Sequence, residues 1–404
     1  MPPELDPATD LDLLSPELVA DPYPWYARLR ASAPVLWNSR YRGWLAARAA
    51  DVTEALKDPR FSVVRMGGGN EANEARDPAM ALVADTLSRW LTFMDPPEHT
   101  ALRTALSPPF GVRRVSRLTG AVEAAAAELT EAMVARPEFD LVEELAAPLP
   151  SVVLAALLGV PDEARQRFKA RSAELTPLVH GSIADRDRYR RAAAALGELL
   201  DELAGLVAAR RAEPRDDLLS AFAAHPDLDD RQILATCAEL IFGGVETTAT
   251  LITNLVICLL EHPEQLERLT ADPARCAAAV EEVLRFEGPI KGTTRIAAEP
   301  VTLGGQELER GAKVFLLLGS ANRDPDAFAD PDRFDVLRNP SAHLAFGQGR
   351  HHCLGAQLAR IEGAAALGAL LPHLPRLSLA DPPVRWRRSM ANRGADSLPL
   401  RVRR

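Results

Sequence analysis

The chain has 404 residues, of which 47% are hydrophobic and 25% are charged, the balance of a globular protein with a large core. Its net charge of −9 argues against a general nucleic-acid role, because phosphate backbones bind basic surfaces. The four cysteines form no CxxC pair, which favours the reducing cytoplasm over a secreted disulfide framework. The segment from Met1 to Pro7 lacks the basic and apolar regions of a signal peptide.

The composition changes along the chain. Residues 96–285 are rich in good helix formers, whereas residues 290–345 carry more Gly, Pro and Asp with short apolar runs, which predicts strands and loops. A helical pattern returns after Cys353 and ends at about Leu371. No repeat or long linker divides the sequence. We therefore predict one domain over residues 1–404, mainly α with a minor β region.

A glycine run, Gly67 to Gly69, lies in the polar stretch 66–77. It is not followed by Lys-Ser or Lys-Thr, so it is not a phosphate-binding loop. The composition predicts a flexible surface loop, and a lid over a pocket is the alternative.

Residues 232–261 predict one long helix, which Asp229 or Asp230 can cap. The stretch 240–260 has the length of a membrane span, but Glu246 is its sole charge and lies near the middle. A carboxylate there would cost about 2.5–3.5 kcal/mol on insertion into a bilayer. We therefore predict a buried helix in a soluble protein, with no membrane partner.

The middle of this helix has an unusual composition. Gly243 and Gly244 are adjacent, and each glycine costs about 1 kcal/mol relative to alanine in a helix interior. Thr247 lies one turn after Gly243, so its hydroxyl can bond the Gly243 carbonyl and open a small groove. Glu246, a carboxylic acid next to an alcohol, can relay protons. The alternative for Glu246 is a structural pair with a buried cation.

Residues 346–355 read Phe-Gly-Gln-Gly-Arg-His-His-Cys-Leu-Gly and place Cys353 just before a predicted helix. Helix N-terminal amides favour a thiolate there, and the glycines allow a tight turn and close approach to a flat group. The two adjacent histidines cannot easily join Cys353 around one tetrahedral zinc ion, and the segment lacks the third glycine of a dinucleotide fingerprint. A single axial thiolate to haem iron suits a lone cysteine better.

This segment resembles the Phe-Gly-x-Gly-x-His-x-Cys-x-Gly motif of bacterial cytochrome P450 enzymes at every fixed position. The resemblance implies a P450 fold that holds haem b between the long distal helix and the cysteine loop with its proximal helix. It also implies that Cys353 is the iron ligand, that His351 binds a haem propionate, and that the Phe and glycines shield the sulfur. The residues that the motif places at the cofactor are Phe346, Gly347, Gly349, His351, Cys353 and Gly355.

The glycine-rich part of the long helix resembles the Gly-Gly-x-acid-Thr-Thr motif of the same family. The resemblance implies that Gly243 leaves room for dioxygen at the haem. It implies that Glu246 and Thr247 are catalytic and deliver the two protons that dioxygen reduction needs.

Residues 95–103 resemble the start of the family's propionate-binding helix. His99 and Arg103 share one helix face, and Arg295 matches the third cationic position. The resemblance implies that all three bind haem propionates.

The pair Glu282 and Arg285 is spaced for an ion pair on one helix, which by itself indicates little. With Arg333 as the third member, it resembles the family's Glu-Arg-Arg network. We expect these three residues to have a structural role.

Basic residues also gather on the predicted proximal side. A local basic patch can dock an acidic electron carrier, and the resemblance implies a ferredoxin with its NAD(P)H-dependent reductase. Ordinary surface charge is the alternative. The residues concerned are Arg103, Arg113, Arg114, Arg350 and Arg360.

The resemblance also gives positions that line the distal pocket, where Glu239 and Lys291 are charged and Gly292 is small. Each charged residue either anchors a polar group of the substrate or has a structural partner. The pocket positions are 66–91, Glu239, Phe242, Gly243, 290–294, Met390 and Ala391.

These observations predict a monooxygenase that uses dioxygen and oxidises, by default hydroxylates, a small organic molecule of secondary metabolism. One alternative is a haem-thiolate enzyme of peroxide-driven oxidation or oxidative coupling. A non-catalytic haem sensor or carrier is the other, although the acid–alcohol pair would then have no purpose.

Overall fold

A computed structural model describes residues 11–64, 78–161, 186–338, 340, 342–380 and 384–403. The segment from Met1 to Pro7 and the glycine run in 66–77 lie outside the described residues. The α-helices of the described parts are α1 Pro16–Ala20, α2 Tyr23–Ser32, α3 Ala49–Lys57, α4 Pro78–Ser88, α5 Glu98–Leu106, α6 Val112–Ser116, α7 Thr119–Val134, α8 Pro148–Leu158, α9 Arg186–Ala212, α10 Leu218–Ala223, α11 Asp230–Glu261, α12 Pro263–Ala271, α13 Cys276–Glu287, α14 Leu318–Ala321 and α15 Ala356–Leu370.

The strands form three small sheets. A five-stranded sheet has the order β1-β2-β8-β5-β3, with β2 and β8 parallel and the other pairs antiparallel. A second sheet has the order β4-β10-β9, and β6 pairs with β7 alone. The strands are β1 Val35–Asn38, β2 Gly43–Ala46, β3 Phe61–Ser62, β4 Glu138–Asp140, β5 Thr293–Ala297, β6 Val301–Leu303, β7 Gln306–Leu308, β8 Lys313–Leu316, β9 Leu377–Leu379 and β10 Pro399–Val402.

Helix α11 begins at Asp230, two residues before the predicted start, and ends at the predicted Glu261, and its cap is one of the two predicted residues. The Asp229 side chain accepts a hydrogen bond from the backbone N–H of Gln232 at 2.7 Å, and His262 ends the helix before Pro263 begins α12. Among the described residues it is the one helix long and apolar enough to cross a membrane, but 72% of its most apolar window is buried inside the protein. A helix buried on most of its faces is a core element.

The largest core cluster packs around the second half of α11. Leu251 and Leu255 of α11 lie in one cluster with Val280 of α13 and Leu367 of α15. A second cluster joins the first half of α11 to α5, and Leu354, next to Cys353, packs against it. The two clusters therefore bring the cysteine loop and the glycine-rich part of α11 together.

The buried ion network differs from the predicted one. Glu282 is fully buried and accepts two hydrogen bonds from Arg285, as expected. The third member is Arg338, whose Nε lies 3.2 Å from Glu282 Oε1. The prediction of Arg333 is wrong, because its side chain is 56% exposed and pairs with Asp335 at 3.4 Å. Only the fold of the 330–338 turn decides which arginine points inwards.

Candidate active site

The cysteine loop is a tight turn that glycine makes possible. The backbone N–H of Cys353 donates to the carbonyl of Phe346 at 2.9 Å, which closes the turn. Gly347 and Gly349 have φ values of 66° and 71°, which other residues rarely adopt. A Cβ atom on Gly349 would lie 2.8 Å from the Leu56 carbonyl of α3. The loop therefore packs directly against α3.

The Cys353 thiol lies within reach of the charges of Arg103 and Arg360. It has exposed surface, yet the surrounding protein desolvates the thiol and raises its pKa. The Gly355 N–H bonds to the sulfur and lowers the pKa, as do the charges of Arg103 and Arg360. Since burial is the largest effect, the helix N-terminus alone does not hold this sulfur ionised, and a metal cation on the sulfur would.

Phe346 is held beside the loop by a small ion network. The Arg360 guanidinium lies 4.4 Å from the centre of the Phe346 ring, and its Nε donates to Glu281 Oε1 at 2.6 Å. Glu281 also bonds to His343 Nε2 at 3.0 Å. These bonds outweigh burial and lower the pKa of Glu281 to about 2. The network fixes the ring of Phe346, so Arg360 is not simply a surface charge.

Basic side chains from separate parts of the chain meet next to the cysteine loop. The ring centres of His99 and His351 are 4.2 Å apart, and both rings are largely buried. Burial, followed by the charges of His99 and Arg295, lowers the pKa of His351 to about 3. Burial and the charge of Arg103 lower the pKa of His99. Such a cluster is complementary to anionic groups.

Several polar atoms of this cluster lack partners in the protein. Within the described ranges, neither ring nitrogen of His99 has a hydrogen-bond partner. Nε2 of His351 has none in these ranges either. Arg295 comes from β5 and donates to the carbonyl of Thr294 at 3.0 Å. Buried donors of this kind normally have acceptors, so the cluster fits the carboxylates of a bound group.

The middle of α11 shows the predicted local geometry. Thr247 Oγ1 donates to the carbonyl of Gly243 at 2.6 Å. Among the residues that the structure describes, a Cβ atom on Gly243 would meet nothing within 4 Å, whereas one on Gly244 would lie 3.3 Å from Leu154 Cδ2. The open face of α11 is therefore at Gly243, and the face at Gly244 packs against α8.

Glu246 has partners that the sequence did not reveal. Arg387 Nη1 donates a hydrogen bond to Glu246 Oε1, and Asn392 Nδ2 donates to the same oxygen at 2.9 Å. Arg387 also bonds through Nε to Asp396 Oδ1 at 2.7 Å. Glu246 therefore has a cation partner, as the alternative interpretation expected. No sequence signal links residues so far apart in the chain.

The comparisons with known proteins agree with this geometry. The family model described as cytochrome P450 matches residues 63–275 and 276–379. This chain belongs to the cytochrome P450 family.

Similar proteins match this P450 over nearly its whole length. The cytochrome P450 monooxygenase PikC of Streptomyces venezuelae is 38% identical over 98% of this chain and 95% of its own length. The 6-deoxyerythronolide B hydroxylase of Saccharopolyspora erythraea is 39% identical over 97% of this chain and 98% of its own. A crystal structure of P450BioI in complex with an acyl carrier protein ligated to hexadec-9Z-enoic acid has a TM-score of 0.89, 33% identity, and coverage of 96% of this chain and 100% of that chain.

These relatives show that the chain is a P450 monooxygenase, whose family carries a haem-thiolate cofactor. The predicted fold, mainly α with minor sheets, is confirmed. The residues present fit the cofactor. Cys353 has exposed surface and lies near Arg103, ring nitrogens of His99 and His351 have no hydrogen-bond partner within the described residues, and Gly243 leaves an open face.

Glu239, one of two charged residues expected near the pocket of this P450, has a structural partner. Its carboxylate accepts hydrogen bonds from the N–H of Leu91 at 2.7 Å, and from the N–H and hydroxyl of Thr92 at 2.9 and 2.6 Å. It therefore caps the short helical turn Leu91–Phe93, although burial raises its pKa.

Lys291 is 5% exposed, and no hydrogen bond or ion pair to its ammonium group occurs in the described parts of the chain. Burial lowers its pKa to about 8, and the nearby charges acting on it are Arg393 and Glu287. Its backbone N–H donates to the carbonyl of Ala391 at 2.7 Å. The turn at Met390 and Ala391 thus joins the 290–294 segment, as the pocket prediction requires.

Proposed function

We propose that this chain is a single-domain cytochrome P450, over residues 1–404, that binds haem b and works in the cytoplasm. It uses dioxygen and electrons from a ferredoxin to hydroxylate a small organic molecule of secondary metabolism. One observation supports this above all. The cysteine loop, the basic cluster and α11 are neighbours, because the charge of Arg103 acts on both Cys353 and His351 and because Leu354 packs against the core cluster that contains Val245.

In this proposal the cofactor site is built by several elements of the chain. Cys353 Sγ would hold the haem iron, and the Gly355 N–H donates to this sulfur. Phe346, Gly347 and Gly349 would shield the sulfur from water. The basic cluster of His99, Arg103, Arg295 and His351 would hold the propionates.

Bound haem supplies the iron at which dioxygen is reduced and the substrate is oxidised. The open face at Gly243 gives dioxygen room. Thr247 Oγ1, fixed by its bond to the Gly243 carbonyl, can accept a proton on one side while passing another on. Glu246 is the acid that resupplies it, since its carboxyl group lies one residue away and is only 14% exposed.

The electron partner is proposed to be a ferredoxin with its NAD(P)H-dependent reductase, docked on the face that carries α6. Arg113 is exposed on α6, which packs against α15. Two members of the predicted basic patch have partners: Arg114 pairs with Asp216 at 2.7 Å, and Arg360 pairs with Glu281. Arg113 and Arg350 are therefore the residues whose charge is most available to an acidic partner.

The substrate class is drawn from the relatives only in broad terms. The names of two of them point to different molecules, 6-deoxyerythronolide B and a fatty acid carried on an acyl carrier protein. The 6-deoxyerythronolide B hydroxylase and PikC support a small organic molecule of secondary metabolism, and hydroxylation is the default outcome.

Two measurements test the proposal. We expect the reduced protein to show, on addition of carbon monoxide, the strongly red-shifted Soret band of cysteinate-ligated haem. A band at the histidine-ligated position, or no haem band in protein supplied with haem, would contradict it. We expect product formation to need NADPH, ferredoxin and reductase, whereas equal turnover with peroxide alone would favour the peroxide-driven alternative.

A further inference from the structure

The last part of the chain forms a hairpin that is distinct from the main sheets. Residues 386–395, here called the C-terminal hairpin, are closed by a bridge between Trp386 and Ala395. The N–H of Arg387 donates to the carbonyl of Gly394 at 2.7 Å. The tip of the hairpin includes Met390, which was predicted to line the distal pocket.

The C-terminal hairpin lies along one face of α11. Its contacts fall on Glu246, Thr250 and Asn254, which are four residues apart and share that face. Asn254 Nδ2 donates to the carbonyl of Arg393 at 2.8 Å. A Cβ atom on Gly394 would lie 2.6 Å from Thr250 Cγ2, so glycine allows the close approach. The hairpin and the distal helix are therefore a fixed pair.

The polar end of this contact is at Glu246. Its Oε1 accepts from Arg387 and from Asn392, so the carboxylate is turned towards the hairpin. Arg387 is 21% exposed and continues to Asp396, which is 76% exposed. A line of charged groups thus runs from the distal helix to solvent. Arg387 lies between the carboxylates of Glu246 and Asp396.

Neighbouring elements also carry charges near this part of α11. Helix α8, which packs against α11, has no charged residue, whereas the turn Val142–Ala146 before it carries two glutamates. Glu362 of α15 is buried and bonds to Thr248. Arg387 supplies a positive charge that bonds directly to Glu246.

We propose that Arg387 is a positioning residue for proton delivery, because it holds the Glu246 carboxylate turned towards the C-terminal hairpin, whose Asp396 end is open to protons from solvent. The proposal rests on the role of Glu246 in the proposed function. When Glu246 gives its proton to Thr247, its O–H bond breaks and the carboxylate pairs again with Arg387. A hydronium ion from bulk solvent then restores the proton to Glu246 and leaves a water molecule, while Arg387 stays protonated.

The test compares Arg387→Met with Arg387→Lys and with Arg388→Met. Arg388 is the matched control, because it is adjacent and of the same type, but donates to the Leu14 carbonyl at 3.0 Å and is exposed. Infrared difference spectra of each haem-loaded variant, taken across pH and minus the corresponding Glu246→Gln protein, report the protonated Glu246 carboxyl group. The fraction of electrons that reach product rather than peroxide is measured over the same pH range.

Loss of a neighbouring positive charge raises the pKa of a carboxyl group by about one to three pH units. We expect the band of protonated Glu246 to persist to a pH at least one unit higher in Arg387→Met, and the pH profile of coupling to move with it. Arg387→Lys should largely restore both, and Arg388→Met should leave both unchanged.

Two failures can be told apart. If Glu246→Gln leaves coupling intact, the relay in the proposed function is wrong. If Glu246→Gln uncouples turnover but Arg387→Met moves neither the infrared band nor the pH profile, then Arg387 is only structural and the present proposal is overturned.

Discussion

The substitution Gly243→Ala separates the stability of α11 from its function. Alanine is favoured over glycine in a helix interior by about 1 kcal/mol, and a Cβ atom at this position meets nothing within 4 Å in the described part of the chain. The new methyl group therefore gains the full helix preference without a clash. We expect the free energy of unfolding to rise by about 1 kcal/mol, measured by urea denaturation with far-UV circular dichroism on protein prepared without haem.

The matched control is Gly244→Ala on the same helix. Its Cβ atom would lie 3.3 Å from Leu154 Cδ2, so repacking offsets most of the helix gain and we expect a smaller change in the free energy of unfolding. In the haem-loaded enzyme, Gly243→Ala should weaken carbon monoxide binding to reduced haem and raise peroxide release, and Gly244→Ala should not. If Gly243→Ala is destabilising, or leaves both measurements unchanged, the reasoning about the open face is refuted.

Two further predictions concern buried charges, and a third concerns the cysteine ligand. Arg338→Met should lower the free energy of unfolding, measured by urea denaturation, by about 3 kcal/mol, because it leaves part of the buried Glu282 charge uncompensated. Arg333→Met should change it by less than about 0.5 kcal/mol. Equal effects would contradict the assignment of Arg338 as the partner of Glu282. Burial raises the pKa of Glu362 to about 8, so its folded form prefers to be neutral and stability is lost as pH rises from the unfolded value of 4.5 towards 8. Glu362→Gln should therefore be more stable than the unchanged protein at pH 8 and equal to it at pH 4, as thermal unfolding at both pH values would show; a constant difference would mean that Glu362 does not titrate in this range. Cys353→Ala should abolish the thiolate spectrum after carbon monoxide addition, and a retained band would identify another ligand.

Local sequence patterns determined much of this protein. The spacing around Cys353 and the residue types of α11 identified the family, because each is a short contiguous segment whose chemistry depends on its own backbone. The hydrogen bond from Thr247 to the Gly243 carbonyl could also be predicted from the local sequence, because residues one helical turn apart meet in any helix.

The tertiary structure decided what depends on contacts between distant segments. The strands β1 to β3 are only two to four residues long, so their periodicity was too short to predict them. Arg338 and Arg333 are both plausible partners for Glu282 in sequence, and only the direction of the backbone turn selects one. Arg387 is a partner of Glu246 because the packing of Gly394 on Thr250 brings the C-terminal hairpin onto α11. These segments are far apart in the sequence, so no local pattern could predict the contact.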